Sequence, residues 1–313
     1  MYLVTGAGGY IGRHLVRALL AQGHAVRAID WNAEALAPLQ ALGATTQVAD
    51  LSNMFALIGS GMDKVRVVYH LAGSPLGNAK RIWRTNAQTL EAVANACQEA
   101  RGLRAFIFAS SGAVYPSSAD WLDEQTKPAP TFAYAAAKVE AEQLLVQLRQ
   151  WSKLPFQIAR IAAVYGPASP ALMVEQVRRG RFPLIDGGQH YTSNIHIDDL
   201  IKALLAMPKL GKAGRIYNLA DDEPTTVASF YGLLAQLLNA PPPPSISPRT
   251  AQTMVWLVNT LHRLTLRQPP LPFDLVAMAA LSHRMRNTRM HRELQIKLAY
   301  PSYRDGLPTC VPQ

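Results

Sequence analysis

The segment "TGAGGYIG", residues 5–12, decides how the start of this chain is interpreted. Tyr2, Leu3 and Val4 come before it and predict a short buried strand, because aromatic and aliphatic side chains suit a covered sheet. After it, apolar residues recur at helical spacing as far as Leu20, and Gly23 can end the helix. The segment is therefore predicted to turn a strand into a helix.

Three glycines in this turn, Gly6, Gly9 and Gly12, favour an anion site. Glycine lets the backbone turn tightly and lets a ligand approach without meeting a Cβ atom. The helix that follows directs its free N–H groups and its positive dipole end at whatever occupies the turn. A pyrophosphate fits this description, and an ordinary tight connection is the alternative.

The composition indicates a globular protein with a large core. The chain has 313 residues, of which 49% are hydrophobic and 17% charged. Cys97 and Cys310 are too few for a disulfide framework or a thiolate metal site. No secretory pattern precedes the first strand, and no apolar run is as long as a bilayer span. We therefore expect a cytoplasmic protein with no integral membrane segment.

The net charge of +10 is concentrated near the end of the chain. Residues 249–297 hold eight lysines and arginines and only two acidic residues. Such a segment could attract an anionic substrate, an acidic membrane surface or nucleic acid. Because no nucleic-acid module accompanies it, we expect no nucleic-acid binding. A solvated surface is the commoner explanation, and a membrane-surface role stays an alternative.

Strand and helix patterns alternate through the first half of the chain. Strands are predicted at residues 25–29, 45–49, 65–73, 104–111 and 156–166, and helices at 33–42, 81–100 and 134–151. Strands that are apolar on both sides and separated by helices imply a parallel sheet covered on both faces. The predicted fold class is α/β, a Rossmann-type doubly wound parallel sheet, with the glycine turn after its first strand.

The pattern is looser after residue 166. Short strands are predicted near 182–186 and 191–197, a helix at 195–207, a strand at 215–220 and a helix at 226–238. Prolines 241–244 then interrupt regular structure, and a mostly helical basic tail follows. We expect a dinucleotide-binding domain over residues 1–166 and a smaller, largely C-terminal substrate-binding part over 167–313. Residues 191–220 are expected to return to the first domain.

Asp30 closes the second predicted strand, about 20 residues beyond the turn, where a carboxylate can accept hydrogen bonds from the adenosine ribose. A carboxylate there repels a 2′-phosphate, so it favours NAD and makes NADP the less favoured cofactor. The alternative is a helix cap before Trp31 and Asn32.

Tyr134, Lys138 and the Ser110-Ser111 pair form a candidate catalytic group. Tyr134 and Lys138 are one helical turn apart and share a face. A lysine cation favours the phenolate, which makes the tyrosine a usable acid or base. Ser110 and Ser111 end a parallel strand, at the sheet edge where ligands of open α/β folds bind.

Ordered motifs over residues 1–239 resemble the extended short-chain dehydrogenase/reductase superfamily, in its NAD-dependent epimerase/dehydratase-like branch. Besides the glycine turn and Asp30, they are "DL" (50–51), "HLAG" (70–73), "TNAQTLEAV" (85–93), "SSGAVYP" (110–116), "DEQTKPAPTFAYAAAK" (123–138), "RIAAVYGP" (160–167) and "IHIDDL" (195–200). The ending "ELQIKLAYPSYRDGL" (293–307) is similar to the branch's common ending, which places the basic tail in the same protein.

The resemblance implies an NAD(P)-dependent epimerase/dehydratase-type oxidoreductase that transfers a hydride at a carbinol or carbonyl carbon, with sugar nucleotides among the branch's substrates. The implied catalytic residues are Ser111, Tyr134 and Lys138. The implied cofactor-binding residues are Gly6, Gly9, Tyr10, Ile11, Gly12, Asp30, Asp50, Leu51, Leu71, Ala72, Gly73, Asn86, Tyr134 and Lys138. It also implies a small-molecule substrate and a homodimer formed through the helices at 81–100 and 134–151.

Two departures from the branch concern the substrate. Ala163 stands where sugar-nucleotide members usually have an asparagine that helps to bind the diphosphate. Thr192 and Ser193 stand where those members often have Arg-Asp, and arginine is the natural clamp for a phosphate. The departures favour a simple dehydrogenase or reductase of a non-nucleotide alcohol or ketone. A non-catalytic NAD-binding sensor is a third alternative.

Two further groups of residues receive structural interpretations. His196, Asp198 and Asp199 do not predict a metal site: we expect Asp198 to cap a helix and His196 to be buried and hydrogen-bonded. Trp256, Leu257 and Leu261 form an apolar stripe, for which core packing is expected. Covering a ligand or meeting another subunit is the alternative for the stripe.

Overall fold

Strands and helices alternate along the computed structural model, which describes residues 1–51, 62–264 and 274–311. The strands are β1 (Tyr2–Thr5), β2 (Val26–Asp30), β3 (Thr45–Val48), β4 (Val67–His70), β5 (Ala105–Ser111), β6 (Trp121–Leu122), β7 (Phe156–Ile161), β8 (Ala163–Tyr165), β9 (Leu184–Ile185), β10 (Tyr191–Thr192), β11 (Asn194–His196), β12 (Ile216–Leu219), β13 (Thr225–Thr226), β14 (Ser245–Ile246) and β15 (Arg284–Met285).

Most of the helices follow a strand in the chain. They are α1 (Tyr10–Ala21), α2 (Ala33–Ala41), α3 (Ala79–Trp83), α4 (Thr89–Ala96), α5 (Ala133–Ser152), α6 (Val174–Arg178), α7 (Ile197–Leu210), α8 (Val227–Leu237), α9 (Pro248–Leu264), α10 (Leu275–Ala279), α11 (Thr288–Leu294) and α12 (Tyr303–Gly306). None of the described helices is long and apolar enough to cross a lipid bilayer.

A parallel sheet of seven strands, in the order β12-β7-β5-β4-β1-β2-β3, lies at the centre of the fold. The chain moves outward from β1 to β3 and then resumes at β4, on the other side of β1. In open α/β sheets, ligands bind at the carboxyl ends of the strands where the order reverses. The predicted Rossmann-type fold is confirmed, and its reversal point lies between β1 and β4.

Alternate residues of the central strands fill two cores. Leu3, Val68 and Phe106 pack on one face with side chains of α4 and α5, and Val4, Tyr69 and Ile107 pack on the other with α1 and α7. All six are completely buried. Because both faces are covered by helices, these strands read as continuous apolar runs in the sequence.

The strand predicted at 156–166 is divided in two. β7 ends at Ile161 inside the main sheet, and β8 pairs instead with β11 in a separate two-stranded sheet. The change occurs at Ala162, whose N–H donates to Leu219 O at 3.0 Å, whereas the next N–H, that of Ala163, donates to Ser193 O at 3.1 Å. The division carries residues 163–165 away from the sheet and toward the C-terminal part.

The helix predicted at 81–100 is helical but not regular. Its middle section, Arg84–Gln88, is a π-helix between α3 and α4. Asn86 Nδ2 donates to Ile82 O at 2.8 Å, and Thr85 Oγ1 donates to Arg81 O at 3.0 Å. Side chains that bind the carbonyls of the preceding turn compete with its backbone bonds, which accommodates one extra residue.

Residues 191–220 come back to the first part of the chain, as β12 pairs with β7 and α7 packs against α1. The segment after α10 also returns, because β15 forms a parallel pair with β6. Part of the basic tail is outside the described residues, namely Arg267 and the side chain of Arg263.

Core packing was the wrong prediction for the stripe on α9. Trp256 is 61% exposed, Leu257 50% and Leu261 54%, whereas the helix packs through Ala251 and Val255. The sequence shows that a helix is amphipathic but not which of two apolar stripes meets the core.

His196 is buried and hydrogen-bonded, as expected, with Nε2 3.0 Å from Thr309 Oγ1. It also occupies the N-cap position of α7, where its Nδ1 accepts a bond from the Asp198 N–H at 3.3 Å. The prediction that Asp198 is the cap was therefore wrong, since Asp198 lies in the first turn. Asp199 accepts from the N–H groups of Ala299 and Tyr300, both at 2.8 Å.

Candidate functional site

The glycine turn between β1 and α1 is packed too closely for larger residues. Gly6 has a φ of +67°, and a Cβ there would lie 2.7 Å from Ala72 N. A Cβ on Gly12 would lie 2.1 Å from Gly6 O, so Gly12 permits α1 to start against the turn. The two glycines let the backbone pass close to residues 71–72 at the end of β4, which is the geometry needed for a phosphate to reach the helix N-terminus.

Asp30 ends β2 with its carboxylate directed at the same turn. Its Oδ2 accepts from Gly8 N at 2.9 Å, and its Oδ1 accepts from Asn32 N at 3.0 Å. The residue that caps α2 is Asn32, whose side chain accepts from the N–H groups of Glu34 and Ala35. Asp30 is thus not the helix cap that was its alternative interpretation. Asp30 is 8% exposed, its carboxylate is fixed by these bonds, and the residue lines a cavity.

That cavity, called here the glycine-turn cavity, has a volume of about 940 Å³. Eight of the predicted cofactor-binding residues line it: Gly6, Gly9, Asp30, Asp50, Leu51, Leu71, Ala72 and Gly73. The other six, which are Tyr10, Ile11, Gly12, Asn86, Tyr134 and Lys138, do not line it. Tyr10 donates instead to Pro167 O at 3.0 Å.

Sequence reasoning missed several residues that line the glycine-turn cavity. They are Gly8, Trp31, Asn32, Ala35, Ala49, Ser74, Asn78, Lys80, Arg81, Arg84, Thr85 and Thr89. The signal that could have found the basic ones is their place at the start of a helix that follows the β4 loop. Arg84 Nη2 lies 3.3 Å from Asp50 Oδ2, which links this helix to the loop after β3.

The residues present fit a dinucleotide. A cradle of glycines, an acidic residue at the ribose position and three cations along one wall provide partners for each of its polar parts. Gly6 and Gly9 would let the pyrophosphate approach the N-terminus of α1, whose first N–H groups would donate to it, and Asp30 would hold the adenosine ribose. A nicotinamide dinucleotide supplies or accepts a hydride when bound.

Gly73 and Asn86 connect the glycine-turn cavity to the candidate catalytic group. A Cβ on Gly73 would lie 2.5 Å from Asn86 Oδ1 and 3.1 Å from Lys138 Nζ. Asn86 is buried, and among the described residues its Oδ1 has no hydrogen-bond partner. The loop after β4 therefore needs a glycine so that both side chains can approach it.

Ser111, Tyr134 and Lys138 come together at the carboxyl end of β5. Lys138 Nζ donates to Ala109 O at 2.8 Å and lies 5.7 Å from the centre of the Tyr134 ring. Ser111 and Tyr134 line the same cavity, so that both hydroxyls face the same space. Ser111 Oγ also accepts from Ala113 N at 3.1 Å, which holds the hydroxyl at the start of the following turn.

Burial sets the protonation of this group. It raises the pKa of Tyr134 to about 12, although the nearby Ser111 hydroxyl acts in the opposite direction. Burial also lowers the pKa of Lys138 to about 7, and the Glu142 carboxylate one turn further along α5 opposes this. At neutral pH Tyr134 is therefore a phenol with a proton to give, while Lys138 is close to its own titration point.

Glu142 belongs to a buried network beneath Lys138. Its Oε2 accepts from Arg160 Nη2 at 2.7 Å, and its Oε1 accepts from Arg160 Nε at 3.1 Å and from Ser110 Oγ at 2.5 Å. The Arg160 guanidinium lies over the Tyr115 ring, 4.8 Å from its centre. These bonds fix α5 to β5 and β7, and so hold the helix that carries Tyr134 and Lys138.

A second cavity, called here the tyrosine cavity, opens beside Ser111 and Tyr134 and has a volume of about 330 Å³. Its other lining residues are Ala113, Phe132, Ile161, Ala162, Ala163, Val164, Tyr165, Ala171, Leu172, Phe182, His190, Thr192, Asn194, Val227, Phe230, Tyr231, Met278, Ala279, Leu281 and His283. Among the described residues, no lysine, arginine, aspartate or glutamate lines it. Ala163 and Thr192, the two departures noted in the sequence, both face this cavity.

A glycine turn at the reversal point of a doubly wound sheet, with a tyrosine, a lysine and a serine beside it, defines a dinucleotide-binding protein of the Rossmann class. Comparison with known proteins refines that class. The model of the NAD dependent epimerase/dehydratase family matches residues 2–220. The chain belongs to this family, uses NAD and is an oxidoreductase-type enzyme.

Individual relatives differ in the reaction that they catalyse. The chain is 31% identical over 242 residues to the 4-hydroxy-2-methyl-3-oxo-4-farnesyl-3,4-dihydroquinoline-1-oxide ketoreductase of Stigmatella aurantiaca, covering 74% of this chain and 72% of that protein. It is 25% identical over 271 residues to the dTDP-glucose 4,6-dehydratase of Streptomyces griseus, covering 76% and 78%.

Among solved structures, the UDP-glucuronic acid 4-epimerase of Bacillus cereus in complex with NAD shares the fold. Its TM-score is 0.78 at 21% identity, covering 99% of this chain and 96% of that one.

Proposed function

We propose that this protein is an NAD-dependent reductase or dehydrogenase that interconverts an apolar ketone and its secondary alcohol. The observation that carries the proposal is the lining of the tyrosine cavity. A sugar nucleotide brings two phosphate charges, which need cations or a dense set of donors. The cavity instead offers aliphatic and aromatic side chains such as Phe182, Phe230 and Tyr231. The Stigmatella relative named above is likewise a ketoreductase.

The departures from the sugar-nucleotide pattern support the same substrate class. Ala163 and Thr192 present a methyl group and a small hydroxyl side chain where a diphosphate would need stronger anchors. Arg284 follows His283 in the chain, but its guanidinium is already engaged elsewhere and is not a substitute for those phosphate anchors. Its guanidinium lies 4.6 Å from the centre of the Trp121 ring and 4.9 Å from that of Tyr191, and its Nη1 donates to Ala119 O.

The candidate catalytic residues have separate tasks in this reaction. Ser111 holds the substrate oxygen, and Tyr134 donates its proton to that oxygen. The nicotinamide cofactor, when bound, would supply the hydride to the carbonyl carbon. Lys138, as a cation, stabilises the phenolate that remains. The balance is one ketone, one NADH and one proton giving one alcohol and NAD⁺. In the reverse direction, the phenolate removes the hydroxyl proton as the hydride leaves.

A turnover assay with matched substrates tests the proposal. We expect NADH-dependent reduction of nonan-4-one and of a related keto ester, and no transformation of UDP-glucose. Tyr134→Phe should lower the rate by about 10²–10⁴-fold, the usual contribution of a positioned acid, while NAD binding is kept. Turnover of UDP-glucose without turnover of either ketone would refute the proposal. Bound NAD with no turnover of any of the three compounds would favour the sensor instead.

We propose in addition that the protein is a homodimer formed through α5 and the helical segment of residues 79–96. Val146 and Trp151 on α5 and Trp83 on α3 are all exposed apolar side chains, as an unfilled helix face would leave them. Light scattering after size-exclusion chromatography should give twice the mass of the chain, and Val146→Glu should give a monomer. A monomeric wild-type protein at micromolar concentration would exclude the dimer.

A further inference from the structure

The wall of the tyrosine cavity contains one region of nitrogen-bearing side chains, called here the polar region. It consists of His190, Asn194 and His283, which come from two segments about 90 residues apart. The segments are joined by backbone and hydroxyl bonds: His283 N donates to Tyr191 O at 3.1 Å, and Met285 N donates to Ser193 Oγ at 2.8 Å. The polar region is therefore a fixed part of the wall.

Each of these three side chains has a buried nitrogen that lacks a partner. Asn194 Nδ2, His190 Nε2 and His283 Nδ1 make no hydrogen bond to any residue that the structure describes. Asn194 is 4% exposed and His283 8%, so bulk water does not reach most of either side chain. Buried polar groups in folded proteins are nearly always paired. Three unpaired nitrogens in one cavity wall indicate that a bound molecule supplies the missing acceptor.

The polar region lies close to the candidate catalytic group. A Cβ placed on Gly112, the residue after Ser111, would be only 3.1 Å from His283 Nε2. His283 therefore packs against the residue next to Ser111, and Ser111, Tyr134 and His283 line one cavity. One small substrate with two oxygens on nearby carbons would contact both groups of side chains.

The charge of the region favours an uncharged acceptor. Burial and the neighbouring His190 lower the pKa of His283 to about 4, so its imidazole is neutral at physiological pH. The neutral imidazole of His283 and the Asn194 amide can donate hydrogen bonds but do not offset a full negative charge taken out of water. Among the described residues, no lysine or arginine lines this cavity.

We propose that His190, Asn194 and His283 bind a second, uncharged carbonyl oxygen of the substrate, so that the protein acts on 3-oxo esters, thioesters or amides with an apolar chain. The inference rests on the proposed function and narrows it. Ser111 and Tyr134 receive the 3-oxo group, and the polar region receives the ester or amide carbonyl. The aliphatic and aromatic wall receives the chain.

Binding measurements separate this inference from turnover. Ethyl 3-oxohexanoate and nonan-4-one have chains of equal length, but only the first carries the second carbonyl. We would titrate each into the protein saturated with NAD⁺, in which a ketone cannot be reduced, and measure its Kd by calorimetry. Wild-type protein should bind the ester about tenfold or more tightly than the plain ketone, since paired hydrogen bonds replace unpaired nitrogens.

Variants assign the preference to the polar region. His283→Leu should reduce the ratio of the two Kd values to near one, His283→Gln should restore part of it, and Phe182→Leu should change both Kd values alike. If His283→Leu does not fold, Asn194→Leu serves in its place. Free 3-oxohexanoate should bind about tenfold or more weakly than its ester, because its carboxylate must lose water without gaining a cation.

The outcomes distinguish the two proposals. Equal Kd values for the ester and the plain ketone in wild-type protein, or a preference that survives in both His283→Leu and Asn194→Leu, would overturn the inference even if both ketones are reduced. Tighter binding of the free acid than of the ester would overturn it as well. A histidine-dependent preference for the ester without reduction of either compound would sustain the binding site and refute the reductase.

Discussion

Replacing Glu142 with glutamine removes the negative charge beside the buried Arg160 guanidinium and keeps nearly the same side-chain shape. In the native protein Arg160 is 2% exposed and Glu142 5% exposed, and the two share the bidentate contact described above. The carboxylate raises the pKa of Arg160, which in any case stays charged. In Glu142→Gln one amide oxygen can still accept one bond, but the positive charge is no longer balanced.

The expected loss follows from this arrangement. Breaking a buried ion pair by removing one partner costs about 3–5 kcal/mol, because it leaves an uncompensated charge in a region of low dielectric constant. The retained hydrogen bond places Glu142→Gln near the lower limit, at about 3 kcal/mol. The free energy of unfolding of a native protein is about 5–15 kcal/mol. The variant should therefore fold but should unfold at a clearly lower denaturant concentration than the native protein.

Guanidinium unfolding followed by circular dichroism measures the change. The matched control is Glu140→Gln, on the exposed side of the same helix, where the carboxylate accepts from Trp83 Nε1 at 2.8 Å. The control should lose less than about 1 kcal/mol. Equal midpoints for the two variants would refute the reasoning. A Glu142→Leu/Arg160→Leu double variant should be more stable than Glu142→Gln, because it removes the charge as well.

Three other predictions concern the glycine turn and the pH dependence. Gly12→Ala should abolish NAD binding and destabilise the fold, because its Cβ would meet Gly6 O. The control is Gly232→Ala, which has nothing within 4 Å of its Cβ and should raise the free energy of unfolding by up to about 1 kcal/mol. Binding titrations and thermal unfolding compare the two variants, and equal effects would contradict the packing argument. Asp30→Ala should weaken NAD more than NADP, which the ratio of the two Kd values measures; an unchanged ratio would remove Asp30 from the ribose site. Reduction should slow as the pH rises above about 7, because Lys138 is a cation below its lowered pKa and neutral above it, while Tyr134 keeps its proton. A rate constant that does not change across this pH range would exclude Lys138 as the cause. An equal fall of the rate constant in Lys138→Met would exclude it as well.

The sequence predicted the features that depend on local patterns. Strand, turn and helix at residues 2–20 follow from apolar spacing and glycine, and the carboxyl edge of the sheet brings Ser111 near Tyr134 without further information. Asp30 could be placed for the same reason, since the end of β2 adjoins the end of β1 in a parallel sheet. The roles given to these residues remain predictions.

Features that depend on distant contacts were not predictable. The change of sheet at Ala162 is determined by Ser193, which lies 31 residues further along the chain. His283 looked like one polar residue in a basic tail, because nothing near it in the sequence indicates that it packs beside Tyr191. The π-helix at Asn86 needs side chains that bind carbonyls, whereas periodicity alone predicts a plain helix.

The pairing of β15 with β6 has a consequence for how the protein is made. These strands are more than 160 residues apart, and the turn before β15 supplies Leu281 and His283 to the tyrosine cavity. As the chain leaves the ribosome, the strands beside the glycine turn can associate early. The side of the tyrosine cavity that Leu281 and His283 line can form only after nearly the whole polypeptide has been synthesised. The nascent protein can therefore hold its dinucleotide before it has a pocket for its substrate.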